Sequence, residues 1–226
     1  MSRIVYIYVN GINSWPGTAD GWTDRAVTWT HTRTEHCAEK FEYWSGPFTR
    51  RMRQQWRAEK LAKMISFYRA RNIIIRLVGH SNGCDVIIRA MKLVGYKVDE
   101  LHLIAPACSE NMTENRLPYY LASGKVRQLT LYMAGNDRAL RLAYLTEPLL
   151  GLFGMGYGWL GYVSPDQLEA TFGTAARIVY EPHYGHSSWF DEHLFDRTMR
   201  IITGKEPHEK VYADIVGIAG LCPVVG

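Results

Sequence analysis

Residues 72–94, with the sequence NIIIRLVGHSNGCDVIIRAMKLV, are the most informative stretch of this chain of 226 residues. Residues 73–78 are apolar except for Arg76 and rich in β-branched side chains, which predicts a strand buried in a parallel sheet. After it, an apolar helical repeat is formed by Ile87, Ala90, Met91 and Val94. The stretch therefore predicts a strand that passes directly into a helix.

Between that strand and that helix lies Gly79-His80-Ser81-Asn82-Gly83, a G-x-S-x-G pattern. A direct strand-to-helix turn holds the serine on a strained corner and exposes its hydroxyl above the sheet edge. A side chain at either glycine would crowd the strand against the helix. The pattern and its flanks predict that Ser81 is a nucleophile, with a plain strand-to-helix turn as the alternative. We expect His80 to have a structural role.

The composition is that of a soluble globular protein with one α/β domain over residues 1–226. A hydrophobic fraction of 47% and a charged fraction of 21% are ordinary for such a protein, and the length allows a substantial core. The net charge of +4 is too small to indicate nucleic acid as a partner. We expect the one basic segment, residues 50–71, to be the solvated face of a helix.

The chain carries no signal for secretion, for a membrane span or for a metal. It leads from its first residues directly into a strand, without a signal-peptide cleavage pattern, which predicts a cytoplasmic protein. The longest uncharged run, residues 148–165, contains five glycines, so we expect no stable membrane insertion. No metal-ligand spacing relates Cys37, Cys84, Cys108 and Cys222. We expect Cys84 and Cys108 to be buried free thiols.

Strands and helices alternate along the chain. Further strands are predicted at residues 3–9, 40–44, 100–105, 126–134 and 176–181. This alternation predicts a doubly wound, mostly parallel sheet of six strands in the order 2-1-3-4-5-6, with helices on both faces. A helix at residues 49–70 carries a core stripe formed by Leu61, Met64, Ile65 and Tyr68. Met52 and Trp56 lie on another side of it, where we expect core residues, with the substrate site as the alternative.

An acid and a histidine each follow a predicted strand and therefore belong at the same sheet edge as Ser81. Asp137 comes after the strand at 126–134, and His186 comes after the strand at 176–181. A serine hydroxyl becomes nucleophilic when an imidazole takes its proton, and a carboxylate orients that imidazole. We expect the His186 ring within hydrogen-bond reach of both Ser81 and Asp137.

Each of these two assignments has an alternative. Asp137 is also suited to cap the helix that follows it, and Asp166 is a second acid, although it follows no strand. His183 is the rival base, three residues before His186. A metal site formed by His183, His186 and His193 is disfavoured because no second ligand cluster accompanies them.

The order Ser81, Asp137, His186 resembles that of small α/β-hydrolases of the lipase and esterase type. The resemblance extends from the first strand to the helix after His186, and a Gly-His-Ser sequence before that helix favours His186 over His183. It implies a trimmed α/β-hydrolase fold that begins at the family's third strand and has no cap domain. Asn10-Gly11 stands where many relatives have His-Gly.

The same resemblance implies how substrate is held. The backbone N–H groups of Ile12 and Asn82 would form the oxyanion hole. We expect Trp15 to contact substrate and to ring the site together with Trp44 and Phe48. Residues 149–161 form a glycine-rich apolar loop, which would be an interfacial lid if the substrates were long-chain lipids.

The sequence thus predicts a serine hydrolase that cleaves carboxylic esters of short to medium acyl chain and needs no metal or organic cofactor. Acyl transfer or thioester hydrolysis with the same triad is the first alternative. A non-catalytic binding protein with this fold is the second. A small ester is the partner that the sequence indicates, and the oligomeric state does not follow from it.

Overall fold

The structure, a computed structural model, describes residues 3–11, 21–43, 54–152 and 158–205, with the backbone alone for 147–152. Its strands are β1 (Ile4–Val9), β2 (Cys37–Phe41), β3 (Ile74–His80), β4 (Val98–Ile104), β5 (Val126–Ala134) and β6 (Ala176–Glu181). Its helices are α1 (Trp22–Arg33), α2 (Gln54–Arg69), α3 (Asn82–Leu93), α4 (Met112–Asn115), α5 (Leu117–Ala122), α6 (Arg138–Leu152), α7 (Pro165–Phe172) and α8 (Glu192–Ile202).

The six strands form one parallel sheet in the order β2-β1-β3-β4-β5-β6, which confirms the predicted topology. β3 lies inside the sheet, where Gly79 pairs with Val9 of β1 and His80 pairs with Ile104 of β4. The carboxyl end of β3 is therefore enclosed by two neighbouring strands. In an open α/β sheet, that edge is where ligands bind.

Two hydrophobic cores cover the two faces of the sheet. On one face, α2, α3, α5 and α7 pack on alternate side chains of the strands, among them Ile7, Leu77 and Leu103. On the other face, α1 and α8 pack on the intervening side chains, among them Tyr8 and Val78. Because strand side chains alternate between faces, a strand buried on both sides has an almost continuous apolar run. That is the pattern seen in β1 and β3.

The prediction for β2 is wrong by three residues. The strand was expected at residues 40–44 but begins at Cys37 and ends at Phe41, in register with Val5 to Val9 of β1. Only Ala38 of this strand is buried, and its N–H donates to Nε2 of His31 at 3.0 Å. Because β2 is an edge strand, tertiary contacts set its limits. The bounds of the other five strands agree with the prediction to within two residues.

The stripe on α2 is confirmed, but the prediction for Trp56 is wrong. Leu61, Ile65 and Tyr68 are buried against the sheet. Trp56 is 52% exposed, and the Lys60 ammonium lies 3.7 Å from the centre of its ring. The buried positions of this first turn belong to polar residues, so the indole faces solvent. Residues 49–53 of the predicted helix, with Met52, lie outside the described residues.

Two further predictions concern membranes and thiols. Over the described ranges, no helix is both long and apolar enough to cross a bilayer. Cys84 and Cys108 are buried free thiols, as predicted, and Cys37 is an exposed one. Burial raises the pKa of Cys84, which leaves its sulfur as a small apolar group behind the turn. Cys222 lies outside the described part of the chain.

Candidate active site

Ser81 occupies a strained corner between β3 and α3. Its backbone has φ +53° and ψ −124°, a conformation that side-chain-bearing residues rarely adopt. Its N–H donates to the carbonyl of Ile104 at 2.9 Å, and its own carbonyl accepts from the N–H of Ala107 at 3.2 Å. Such strain costs about 1–3 kcal/mol and persists where the surroundings enforce it. The predicted elbow is therefore present at the carboxyl edge of the sheet.

The two glycines of the motif permit the close approach of strand and helix, as predicted. A Cβ at Gly83 would lie 2.5 Å from the carbonyl oxygens of both Val9 and Asn10, which are backbone atoms that cannot yield. A Cβ at Gly79 would lie 2.7 Å from the Ile87 side chain and 3.1 Å from the Cys84 nitrogen. The first turn of α3 therefore packs directly on the ends of β1 and β3.

Asp137 and His186 meet, although they come from the ends of different strands. His186 Nδ1 lies 2.7 Å from Asp137 Oδ2, and the carboxylate is fully buried while the imidazole is 21% exposed. The other carboxylate oxygen, Oδ1, accepts from the N–H of Leu140 at 2.8 Å. The two interpretations of Asp137 are thus compatible: one oxygen caps α6 and the other faces the imidazole. With Nδ1 engaged, Nε2 of His186 remains for a reacting group.

His80 holds the backbone of the loop that carries His186. Its Nε2–H donates to the carbonyl of His186 at 3.0 Å, and the two rings lie 4.9 Å apart. Edge contacts with Trp22 and Phe190 enclose the His80 ring. Burial, together with the neighbouring His186, lowers the pKa of His80 to about 3. His80, the residue before Ser81, therefore donates a hydrogen bond from a neutral ring to the backbone of His186, the predicted base.

The expected hydrogen bond between Ser81 and His186 is not formed. Among the described residues, the Ser81 hydroxyl makes no hydrogen bond to the His186 ring, so only the Asp137 half of that expectation is confirmed. The hydroxyl turns about its Cα–Cβ bond, and catalytic hydrogen bonds without a ligand are commonly long. Ser81 and His186 nevertheless lie at the same edge of the sheet, because His80, which precedes Ser81, contacts His186.

Asp137 and His186, not the alternative residues, are the acid and the histidine that meet. Asp166 is exposed in the first turn of α7, and His183 is exposed in the loop after β6. In the ranges that the structure covers, no group of three His, Cys, Asp or Glu side chains is placed to hold a metal ion.

Of the residues expected to bind substrate, one is described. Asn82 begins α3, and its side chain is fully buried. As the first residue of the helix, it has an N–H without an intrahelical acceptor. Ile12, Trp15, Trp44 and Phe48 lie outside the described residues. The loop expected at residues 149–161 is helical at its start, because α6 extends to Leu152, and residues 153–157 lie outside the described part of the chain.

Sequence analysis missed the polar groups behind the elbow. Tyr43, Gln54 and Asp85 are buried and contact one another or Asn82. One signal was available: Asp85 stands between Cys84 and Val86 in a run that is otherwise apolar. A carboxylate at a core position of a helix indicates buried partners.

Solved structures share this architecture at low sequence identity. A candidate hydrolase of the alpha/beta superfamily from Xanthomonas campestris pv. campestris is 15% identical, with a TM-score of 0.52, over 90% of this chain and 100% of its own. Acyl-protein thioesterase 2 from Zea mays is 11% identical, with a TM-score of 0.52, over 90% and 94%. Esterase PE8 is 11% identical, with a TM-score of 0.51, over 90% and 93%.

The chain therefore has the α/β-hydrolase fold, which confirms the fold that the resemblance implied. No protein-family model matches the sequence, and no curated protein is significantly similar to it. Because many functions share one fold, chemistry must be argued from the residues of the site.

Proposed function

We propose that this protein is a serine hydrolase that cleaves carboxylic esters through Ser81, His186 and Asp137. The observation that carries the proposal is the 2.7 Å contact between His186 Nδ1 and the buried Asp137 carboxylate, at the edge where Ser81 stands on its strained turn. A buried carboxylate that orients an imidazole, beside a serine on such a turn, is what acyl transfer through a serine requires.

The mechanism follows from the atoms that remain available. Ser81 Oγ attacks the ester carbonyl carbon while its proton passes to His186 Nε2. Asp137 holds the ring through Nδ1 and stabilises the imidazolium. The tetrahedral intermediate collapses, and His186 returns the proton to the departing alcohol. Water then repeats the sequence on the acyl-enzyme and releases the acid.

The oxyanion of the tetrahedral intermediate needs preorganised donors. The N–H of Asn82 has no intrahelical acceptor and adjoins the nucleophile, so we assign it as one donor. The N–H of Ile12, in the segment that follows β1, is the second donor in this proposal. Trp15, in the same segment, would contact the acyl chain.

The test compares two serines. Ser81→Ala should abolish labelling by a fluorophosphonate probe and hydrolysis of p-nitrophenyl butyrate, while the melting temperature stays near that of the wild type. Ser123→Ala is the matched control, because Ser123 is an exposed serine just before β5, at the opposite edge of the sheet. It should label and turn over normally. Wild-type turnover by Ser81→Ala would refute the proposal.

Thioester hydrolysis and acyl transfer use the same residues and remain the second candidate, since one structure with this fold is an acyl-protein thioesterase. Hydrolysis rates for an oxygen ester and a thioester of the same acyl group distinguish esterase from thioesterase activity. Product analysis with an added alcohol or thiol acceptor separates hydrolysis from transfer. The esterase proposal expects acid as the main product and the oxygen ester as a competent substrate.

A further inference from the structure

A group of polar side chains is buried directly behind the elbow. We call Tyr43, Gln54, Arg57, Asn82 and Asp85 the elbow cluster. Their exposures are between 0% and 7%. They come from three places: the chain just after β2, the first turn of α2 and the first turn of α3. Polar groups withdrawn from water in this way cost free energy unless each has a partner, so the arrangement of the partners is informative.

Tyr43 joins two backbone segments through one oxygen. Asn82 Nδ2 donates to the Tyr43 hydroxyl at 3.1 Å, and that hydroxyl donates to the carbonyl of Asn10 at 2.9 Å. Burial raises the pKa of Tyr43, against the opposing effect of the Asn82 hydrogen bond. The phenol therefore stays protonated and remains a donor at every pH at which a hydrolase would work.

Gln54 holds the other end of the Asn82 amide. Its Nε2 donates to Asn82 Oδ1 at 3.3 Å and to Asp85 Oδ2 at 2.6 Å. Its Oε1 accepts from Arg57 at 3.2 Å, and the Arg57 guanidinium lies 4.7 Å from the centre of the Tyr43 ring. Both polar ends of the Asn82 side chain are thus engaged, and the amide cannot turn without breaking a buried hydrogen bond.

The two joined segments lie on either side of the nucleophile. Asn82 follows Ser81 and carries the proposed oxyanion donor. Gly11 follows Asn10, and a Cβ there would lie 3.1 Å from Ser81 Cβ. The chain after β1 therefore passes immediately beside the serine. A shift of either segment would move backbone groups relative to the point where negative charge develops.

We propose that Tyr43 is a positioning residue for the oxyanion site, acting with Asn82 and Gln54, and this rests on the proposed function. The side chains of the cluster act through the backbone and not on the substrate. It sets the distance between the start of α3 and the end of β1, and so holds the Asn82 N–H toward the tetrahedral intermediate. Preorganisation of this kind acts on the transition state more than on the bound substrate.

The test uses Tyr43→Phe, which removes one oxygen and leaves the ring. Loss of one oxyanion donor lowers kcat by about 10²–10³, so a displaced donor should lower it by about 10- to 100-fold. KM for p-nitrophenyl butyrate should change by less than about twofold, because the substrate carbonyl is bound before charge develops. The inhibition constant of an alkylboronic acid, which forms a tetrahedral anion on the serine, should rise by the same factor as kcat/KM falls.

Tyr120→Phe is the matched control. Tyr120 is 1% exposed, and its hydroxyl has no hydrogen-bond partner among the described residues. The substitution removes the same atom from a buried tyrosine of α5, far along the chain from the cluster. We expect wild-type kcat, KM and boronate inhibition.

Asn82→Ala provides a second route if Tyr43→Phe does not fold. It keeps the backbone N–H but releases it from the cluster, so kcat and boronate affinity should again fall together. Where both variants fold, their losses should be less than additive in the double variant, since both break one chain of contacts.

The outcomes separate this inference from the proposed function. If Ser81→Ala is inactive and Tyr43→Phe retains wild-type kcat and boronate inhibition, the proposed function stands and the positioning role falls. A Tyr43→Phe protein that is only less heat-stable, with unchanged kinetics, also overturns it. Turnover by Ser81→Ala would refute both the proposed function and the positioning role of Tyr43.

Discussion

Asp137 divides its two carboxylate oxygens between a helix and an imidazole. Oδ1 accepts from the N–H of Leu140 in the first turn of α6, and Oδ2 faces His186 Nδ1. A side chain with both tasks is held in one rotamer, because the cap fixes the plane of the carboxylate. Through that plane, the position of α6 determines where the His186 ring stands.

This division predicts that Asp137→Asn separates stability from activity. The amide oxygen can still cap α6, so the free energy of unfolding should change by less than about 1 kcal/mol. The amide NH₂ would face Nδ1 and favour the wrong imidazole tautomer, so kcat should fall by about 10³–10⁴. Urea unfolding and p-nitrophenyl ester hydrolysis measure the two effects.

Asp166→Asn is the control, since Asp166 is an exposed acid in the first turn of α7. It should leave both quantities unchanged. Normal turnover by Asp137→Asn would show that this carboxylate only caps a helix.

The two histidines after β6 predict a second contrast. His186→Ala should lower kcat by several orders of magnitude, with a residual rate from the oxyanion site. His183→Ala should have little effect, because His183 is exposed and His186 is the one that meets Asp137. An inactive His183→Ala with an active His186→Ala would reverse the assignment.

At the scale of single residues, the sequence predicted that Asp137 and His186 meet, but not the contacts that surround them. Ser81, Asp137 and His186 were recoverable because each follows a strand end, and parallel strands bring such positions to one edge. A structural role was expected for His80, but its hydrogen bond to the His186 carbonyl and that of Tyr43 to the Asn10 carbonyl were not, because such a bond leaves no mark on residue type or spacing. Nor did any pattern reveal that Trp56 faces solvent.

At the scale of elements, β3 and β4 each bury a histidine, and acid should destabilise the fold. Burial lowers the pKa of His80 to about 3, and burial lowers that of His102 against the pull of Glu100. The unfolded chain binds these protons near pH 6.5, at about the ordinary histidine pKa, while the folded chain does not. The stability is therefore complete above that pH and is lost as the pH falls toward the folded value.

For His80 alone, the loss between pH 8 and pH 5 should be about 2 kcal/mol. Urea unfolding followed by tryptophan fluorescence at the two pH values measures it. His80→Gln removes the titration while its amide keeps a donor for the His186 carbonyl, so its loss should be smaller by that amount. His183→Gln, at an exposed position, should behave as the wild type does. Equal losses in all three proteins would contradict the assignment to His80.

The edge strand shows why element limits were harder to predict than element identity. Residues 37–41 contain Glu39 and Lys40, which do not resemble a buried strand. The Lys40 ammonium pairs with Asp24 of α1 at 2.6 Å. Contacts with α1 and pairing with β1 therefore hold this strand in place. Pairing between distant segments, which local composition does not encode, set its limits.

At the scale of the whole molecule, the sheet order followed from the sequence because alternation, short loops and parallel pairing leave few topologies. Substrate preference is less determined by the fold. We predict short to medium acyl esters, from the implied lack of a cap domain and the aromatic residues expected around the site. Rates for p-nitrophenyl esters from acetate upward should peak at short to medium chain length.

An opposite result would also be interpretable. α6 begins directly after Asp137 and exposes 62% of Leu142 and of Leu145. Rates that rise steadily with chain length and increase sharply at the micelle boundary would contradict the prediction. They would point to this apolar side of α6, together with the rest of residues 149–161, as a lipid-contacting element.

The distribution of the three site residues along the chain has a consequence for refolding. Ser81, Asp137 and His186 follow β3, β5 and β6, and 49 positions separate the last two residues. Strand pairing between segments distant in sequence forms slowly, because the chain between them must close into a loop before the contacts stabilise it. After dilution from urea, hydrolysis should return only when β6 has docked. Tryptophan fluorescence registers any collapsed core, whereas turnover counts the molecules in which the last strand is in place.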